Sequence, residues 1–229
     1  MYDIPFAVNW LEKEIVKYEQ EPIEKGKILF YGHSLFTRWG SPNWGYRRLD
    51  EDIRMKDGSL ACVNHGFGTS TAEELLYYYD RMVRPWAPRA LVLVTYANDG
   101  MYSYDVEDIM RNIGKICSWA RTDFPGIKIF LVQDHPRPNG KGYTGREMWN
   151  SSRLRRERYH QLLRLYADSH EDTTLVELWN RPEFFETPED VGDYKKVRDD
   201  IFVEDKVHPN QAGYDILRDI FLEVLDELL

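Results

Sequence analysis

Cysteine is scarce in this chain of 229 residues: only Cys62 and Cys117 occur, each in an apolar segment. They do not form a CxxC pair, so we expect two buried free thiols in a reducing compartment. The six histidines include no HxH or HxxxH pair. The sequence therefore predicts no metal site.

Excess basic charge and long apolar runs are also absent. The formal net charge is −9 and the pI about 5.2, which disfavours binding to nucleic acid or to an anionic membrane surface. No apolar run reaches the roughly 18 residues of a membrane span, and the N-terminus lacks a basic segment followed by an apolar core. We expect a cytoplasmic protein without nucleic-acid or membrane partners, and leave a homo-oligomer open.

The chain does contain five short apolar runs, separated by longer segments with helical spacing. The short runs are rich in β-branched and aromatic residues, which is typical of strands buried on both faces of a parallel sheet. They cover residues 27–32, 60–66, 89–97, 127–134 and 173–178. The helical segments cover residues 6–19, 70–83, 105–123, 151–170 and 210–229, and 41–55 is a weaker candidate. This alternation predicts a three-layer α/β/α sandwich around a mostly parallel five-stranded sheet.

The segments outside this pattern complete the expected organisation. We expect a single domain over 1–229, in which residues 1–24 form an N-terminal helical extension. The helix of 70–83 opens with Ser70 and Glu73, at the spacing of a capping box. Segments 135–150 and 180–200 are long and irregular, which is typical of lids over a site and also of surface insertions.

Four polar clusters follow predicted strands or precede the last helix. They are GHS (32–34), NHGFGTST (64–71), YANDG (96–100) and EDKVHPNQAGY (204–214). Ligands of open parallel sheets bind outside the carboxyl ends of the strands, so the clusters are predicted to meet on one rim.

Three residues of these clusters can form a catalytic triad. His208 can take the proton of Ser34 if Asp205, three residues earlier, holds the other ring nitrogen. Taken singly the signals are weak, because a serine after a strand and an aspartate before a helix are commonly helix caps. Their occurrence together at predicted strand ends favours acyl transfer to Ser34 and then to water.

Donors for an oxyanion are expected beside the serine. A helix that begins at Ser34 would supply backbone N–H groups and positive potential. A tight turn at Gly68 and Thr69 would add a backbone donor, and the Asn98 amide would add a side-chain donor.

The order GHS … NHGFGTST … NDG … DKVHPNQAGY resembles the SGNH hydrolases, also called the GDSL-type lipase/acylhydrolase family, over residues from about 27 to 217. The resemblance implies carboxylic ester hydrolysis on a flavodoxin-like α/β/α fold, with no metal or organic cofactor. It implies Ser34 as nucleophile, Asn98 as an oxyanion donor, and Asp205 with His208 completing the triad.

Two positions depart from the family pattern. The family usually has an aspartate before the serine, where this chain has His33, and a second glycine where this chain has Thr69. We name Gly68 first as the backbone donor, because glycine adopts the conformation of a tight turn most readily, and keep Thr69 beside it.

The leading hypothesis is a serine esterase that acts through an acyl-enzyme on small acyl esters, with acetylated carbohydrates as candidate substrates. The absence of a long apolar lid argues against long-chain lipids, and aromatic side chains near the rim could stack on sugar rings. Substrate contacts are assigned to His33, Trp39, His135 and Trp149, whereas His65 is assigned a structural role.

Two alternatives belong to other functional classes. His33 motivates a catalytically weakened, carbohydrate-binding protein with the same fold. Flavodoxin-like nucleotide binding is the second alternative, although GHSLFTRWG lacks a glycine-rich phosphate loop. It predicts phosphate contacts at the first loop, and a separation of Ser34 and His208 too large for them to share a proton would favour it.

Overall fold

The computed structural model describes residues 8–40, 43–138 and 146–229. Five strands form one sheet: β1 (Ile28–Gly32), β2 (Cys62–Gly66), β3 (Ala90–Val94), β4 (Lys128–Val132) and β5 (Thr173–Val176). The strand order is β2-β1-β3-β4-β5, and every neighbouring pair is parallel. Each strand lies within a run predicted from its apolar residues, and the order is the flavodoxin-like one. The predicted fold class is therefore confirmed.

Helices cover both faces of the sheet. They are α1 (Val8–Glu19), α2 (Ser34–Thr37), α3 (Leu49–Asp52), α4 (Ala72–Met82), α5 (Ala97–Met101), α6 (Val106–Asp123), α7 (Arg146–Asp168) and α8 (Gln211–Leu225). The weak helical candidate at 41–55 provides only the single turn α3, and the first seven residues of the chain lie outside the described part.

Two apolar clusters fill the space between the sheet and its helices. Successive residues of β1 point to opposite faces, so Leu29 belongs to one cluster and Phe30 to the other. The first cluster packs the sheet against α1, α4, α6 and α7, and the second packs it against α2, α3 and α8. The arrangement is a three-layer α/β/α sandwich.

The start of α4 differs by one residue from the prediction. The capping box is formed by Thr71 and Glu74, not by Ser70 and Glu73. The Glu74 side chain accepts from the Thr71 N–H at 2.8 Å, and the Thr71 hydroxyl accepts from the Glu74 N–H at 3.4 Å. Ser70 instead precedes the cap, where its carbonyl accepts a hydrogen bond from Asn98.

The two irregular segments have different outcomes. Phe184 and Phe185 of the second segment are buried in the core, and Phe185 pairs with Val197 in an isolated bridge. This part of 180–200 is therefore anchored to the domain. Most of 135–150 that precedes α7 lies outside the described residues.

The structure also bears on the cysteines, on membrane-spanning helices and on groups that could hold a metal ion. Cys62 and Cys117 are free and buried, as predicted. Within the described ranges, no helix is long and apolar enough to cross a membrane. The same residues contain no group of three or more His, Cys, Asp or Glu side chains placed to hold a metal ion.

Candidate active site

The carboxyl ends of the strands open into a cavity of about 1390 Å³. The chain adds β2 on one side of β1 and β3 on the other, so the strand order reverses between β1 and β3, where such sheets bind ligands. Ser34 follows β1 there, and Thr69, Asn98 and His208 line the same cavity. The predicted meeting of the four polar clusters on one rim is thus present in the structure.

Ser34, His208 and Asp205 form a continuous relay of hydrogen bonds. The Ser34 Oγ lies 2.9 Å from His208 Nε2, and His208 Nδ1 lies 2.7 Å from Asp205 Oδ2. An ionised carboxylate can only accept, so Nδ1 donates to Asp205 and Nε2 accepts from the Ser34 hydroxyl. This tautomer is the one in which a histidine can take the proton of an attacking serine.

The short spacing between Asp205 and His208 works because the chain turns back on itself. Lys206 adopts a φ of 56°, in the left-handed region. The Asp205 Oδ1 then accepts from the N–H groups of Val207 and His208 at 2.8 and 2.9 Å. One loop therefore holds both the base and the residue that orients it.

The electrostatics of the pair suit a base at neutral pH. Burial raises the pKa of Asp205, but the N–H groups of His208 and Val207 and the His208 ring outweigh it and lower this pKa to about 2. Burial lowers the pKa of His208, and the hydrogen bond to Asp205 opposes that shift. At pH 7 the carboxylate is ionised and the imidazole is neutral, so the imidazole can accept a proton.

Arg38 is a part of the site that sequence reasoning missed. Its guanidinium donates to Asp205 Oδ2 at 3.2 Å and lies 4.4 Å from the centroid of the Trp44 ring. Arg38 caps the C-terminal end of the single turn that begins at Ser34. The two partners are 167 positions apart, so no local pattern could indicate the contact.

Asn98 lies in α5, directly after β3. Its Nδ2 donates one hydrogen bond to the Ser70 carbonyl at 2.9 Å, which leaves the second amide hydrogen available on a residue that lines the cavity. The next residue, Asp99, accepts from the N–H groups of Ala72 and Tyr96 at 2.8 and 3.1 Å. These contacts tie the loop after β3 to the start of α4.

The turn after β2 differs from the conformation expected for it. Thr69, not Gly68, has a positive φ, of 64°. The sequence predicts the left-handed conformation at Gly68, because this conformation costs glycine least. It occurs instead at Thr69, the position where the family has its second glycine. A β-branched residue in this region is uncommon. Both residues line the cavity.

The helix at Ser34 is also smaller than expected. α2 has four residues, so it has little of the aligned dipole that a longer helix would offer an oxyanion. Its N-cap is His33, whose Nδ1 accepts from the Leu35 N–H at 3.3 Å. The capping role considered for Ser34 is therefore filled by its neighbour, and the Ser34 hydroxyl contacts His208.

The predicted substrate contacts have mixed outcomes. His33 and His135 are buried and line the cavity. Trp39 borders the cavity but is only 1 % exposed, and its indole donates to Asp52 at 2.8 Å. The assignment of Trp39 to substrate stacking is wrong, because its ring is packed in the core. Trp149 belongs to α7, but its side chain lies outside the described part.

His65 has the structural role assigned to it. Its ring is buried in edge-to-face contact with Trp86 at 4.4 Å, and Nδ1 lies 2.7 Å from the Met82 carbonyl. Burial lowers the pKa of His65 to about 4, so the ring is neutral at pH 7.

A serine–histidine–aspartate relay at the carboxyl edge of a parallel sheet is an arrangement that can transfer an acyl group, and the family to which this chain belongs makes it an ester hydrolase. The chain belongs to the GDSL-like Lipase/Acylhydrolase family, whose model matches residues 30–216. The matched range begins in β1 and ends in α8, so it includes every residue of the relay.

Solved structures agree with the fold. A GDSL-like lipase from Bacteroides thetaiotaomicron superposes with a TM-score of 0.70 at 16% identity, covering 96% of this chain and 98% of that chain. Axe2, an acetylxylan esterase from Geobacillus stearothermophilus, gives a TM-score of 0.62 at 17% identity, covering 89% and 95%. No protein of curated function matches this chain in sequence.

Proposed function

We propose that the protein hydrolyses small acyl esters through a covalent acyl-enzyme on Ser34. The observation that supports this proposal is the relay itself, with 2.9 Å from Ser34 Oγ to His208 Nε2 and 2.7 Å from His208 Nδ1 to Asp205 Oδ2. The same distances remove the observation that would have favoured nucleotide binding, namely a separation of Ser34 and His208 too large for them to share a proton.

The reaction proceeds in two halves. Ser34 Oγ attacks the ester carbonyl while His208 takes its proton, and the C–O bond to the alcohol breaks as His208 returns that proton to the leaving oxygen. A water then attacks the acyl carbon with His208 as base, and the bond from that carbon to Ser34 Oγ breaks as His208 returns the proton to Ser34, which releases the acid. The second amide hydrogen of Asn98 and the backbone at Gly68 or Thr69 stabilise the oxyanion in both halves.

Acetylated carbohydrate is the substrate class that we favour. The cavity is open and large enough for more than a small acyl group, and Trp44 on its lining is 44% exposed. The structural likeness to Axe2, an acetylxylan esterase, agrees with an acetyl ester on a sugar. Arg38 lies over the Trp44 ring, and Tyr46 stacks against it at 6.4 Å between ring centroids. A sugar ring would stack on the part of the indole that these two residues leave exposed.

The test compares wild type, Ser34→Ala and Ser169→Ala in the hydrolysis of 4-nitrophenyl acetate and in labelling by a fluorophosphonate probe. We expect Ser34→Ala to lose about 10³-fold or more in kcat and all labelling, because it removes the nucleophile. Ser169 lies at the far end of α7 and contacts the Tyr166 carbonyl, so its variant should behave as wild type.

Equal rates for wild type and Ser34→Ala would overturn the proposal. Turnover of acetylated xylo-oligosaccharides by wild type would support the carbohydrate substrate. A wild-type serine that neither reacts with the probe nor turns over esters would favour the catalytically weakened binding protein.

A further inference from the structure

The end of the cavity beside β4 is built from buried charged groups. Asp134, two residues after β4, is 1% exposed and pairs with Arg156 at 3.2 Å and with Arg137 at 3.5 Å. The Arg156 guanidinium lies over the rings of Tyr96 and Trp179, at 5.7 and 5.1 Å from their centroids. This part of the cavity is therefore held in place by packing as well as by charge.

Arg137 is the second guanidinium that contacts Asp134, and it is not fully satisfied. It shares Asp134 with Arg156, and its own contact is the longer one. Its side chain is 10% exposed, and its Nε has no acceptor among the described residues. Burial raises the pKa of Asp134, but the charges of Arg137 and Arg156 outweigh it and hold the pKa well below its usual range. The carboxylate that pairs with Arg137 among the described residues is thus ionised and already shared.

The charged side chains around Asp134 carry a net charge opposite in sign to that of the whole chain. The chain has a formal net charge of −9, yet Asp134 shares this part of the cavity with Arg137 and Arg156, two arginines for one aspartate. Arg155 also lines the cavity and donates to the Tyr104 carbonyl. A cleft that concentrates positive charge in an acidic protein attracts negatively charged groups.

His33 adds a directed donor next to the nucleophile. Burial lowers the pKa of His33 to about 4, so its ring is neutral at pH 7. Because Nδ1 accepts from the Leu35 N–H, the ring hydrogen must be on Nε2. That N–H is buried, belongs to a ring that lines the cavity, and has no acceptor among the described residues. A buried donor without an acceptor is costly unless a ligand fills the place.

We propose that this end of the cavity binds an anionic group of the ester substrate, a carboxylate or a phosphate, through the guanidinium of Arg137 and the Nε2–H of His33. The proposal rests on the ester hydrolysis proposed above, because the anion and the scissile ester belong to one molecule. The planar donor fork of arginine fits carboxylate and phosphate oxygens. An anion site would also explain why His33 stands where the family usually has aspartate, since a carboxylate at that position would repel the anion.

The experiment uses a pair of esters that differ in one charge. Mono-4-nitrophenyl succinate carries a carboxylate on its acyl part, and methyl 4-nitrophenyl succinate is its neutral counterpart. We expect wild type to prefer the anionic ester by about tenfold or more in kcat/KM, the gain typical of charge-assisted hydrogen bonds. Inhibition of 4-nitrophenyl acetate hydrolysis by succinate and by inorganic phosphate then shows which anion binds better.

Variants assign the preference to residues. Arg137→Gln should reduce the anionic-to-neutral ratio by about tenfold, and His33→Asp, which restores the family residue, should reduce it further through repulsion. His33→Asn keeps a side chain able to cap α2 but has no donor at the place of Nε2, so its ratio should also fall. Arg111→Gln removes an equal charge from an exposed ion pair with Asp108 on α6, and its ratio should equal that of wild type.

The outcomes separate this inference from the proposed function. If wild type hydrolyses the neutral ester and shows no preference for the anionic one, the anion site is refuted and the esterase stands. If the preference exists but survives both Arg137→Gln and His33→Asp, the assignment to these residues is refuted. If neither ester reacts, the melting temperature of Ser34→Ala decides: a rise with succinate or phosphate that Arg137→Gln abolishes supports the site, and no rise refutes it.

Discussion

The Asp205 carboxylate is held by donors from two distant parts of the chain. The backbone of Val207 and His208 and the His208 ring contact it from its own loop, and Arg38 contacts it from α2. Arg38 therefore connects the turn that carries the nucleophile to the loop that carries the base. Its charge also acts on His208, where it adds to the effect of burial in lowering the pKa.

We expect Arg38→Gln to shift the acid limb of kcat/KM to higher pH by about half a unit, the size of a partly exposed charge interaction. Only neutral His208 can accept the Ser34 proton, so activity is lost as the pH falls through the His208 pKa. Removing the positive charge raises that pKa, and the loss then begins at higher pH. The measurement is kcat/KM for 4-nitrophenyl acetate between about pH 5 and 9.

The control for this prediction is Arg218→Gln. Arg218 pairs with Asp215 and Asp219 on α8 and does not line the cavity, so its pH profile should match wild type. An acid limb that stays in place in Arg38→Gln, or moves to lower pH, would contradict the role assigned to Arg38.

At the scale of elements, the position of α2 depends on the end of β2. The Asn64 amide donates to the Phe36 carbonyl at 2.8 Å, and its oxygen accepts from the Gly66 N–H at 3.0 Å. A Cβ on Gly66 would come within 2.4 Å of the Thr37 nitrogen and 2.6 Å of the Phe36 Cβ. Only glycine lets the two backbones approach this closely, and Ser34 lies in the turn that this contact supports.

We expect Gly66→Ala to lower the unfolding free energy by about 1–3 kcal/mol, as overpacking of a core usually does. It should also lower kcat/KM by about tenfold or more, because a displaced α2 lengthens the distance from Ser34 to His208. Urea unfolding and 4-nitrophenyl acetate kinetics measure the two effects.

Gly114→Ala is the matched control. Gly114 lies within α6, where an added Cβ would be 3.7 Å from the Tyr166 ring, an ordinary contact. Alanine favours a helix over glycine by about 1 kcal/mol, so this variant should be as stable as wild type or more so, with unchanged kinetics. If Gly66→Ala behaved in the same way, the close approach of β2 and α2 would not be what positions Ser34.

At the scale of the whole molecule, sequence patterns predict the fold and the edge of the sheet at which the relay lies. Continuous apolar runs identify strands of a parallel sheet, and such a sheet brings its carboxyl ends to one edge. This is why Ser34, Asn98 and His208 could be placed together although they are far apart in the chain. The family resemblance then identified which polar residues on that edge to compare.

Other features of the site have no local signature. The contact between Arg38 and Asp205 spans 167 positions, so it follows from packing and not from spacing. The positive φ of Thr69 opposes the preference of its residue type, so the sequence gives no sign of it. Trp39 is aromatic and near the rim in sequence, but only the structure reveals that its ring points into the core. Patterns of residue type report periodicity, and they do not report the direction of a single side chain.

The buried histidines predict how the stability of the whole molecule depends on pH. Burial lowers the pKa of His33, His65 and His135 to about 4 and that of His160 to about 3, against about 6.5 in an unfolded chain. Between those values the unfolded chain binds protons that the native state does not bind, so the unfolding free energy falls as the pH falls from about 6.5 towards 4. Three acids act in the opposite direction, since burial raises the pKa of Asp99 to about 6 and also raises the pKa of Glu21 and of Glu74. The lowered pKa of His208 adds a fifth histidine to the other four.

We therefore expect the unfolding free energy to fall by about 2 kcal/mol or more between pH 7 and pH 5, because a shift of one pKa unit corresponds to about 1.4 kcal/mol for each group. Urea unfolding at several pH values measures the slope of the unfolding free energy against pH.

In His65→Gln this slope should correspond to at most one proton fewer bound on unfolding, because a neutral amide can still donate to the Met82 carbonyl but does not titrate. Gln161→Ala changes an exposed side chain of α7 that does not titrate, so it should keep the wild-type slope. A stability that stays constant between pH 7 and 5 would mean that these rings take up protons in the native state, and His33 would then be charged beside Ser34 within the working range of the enzyme.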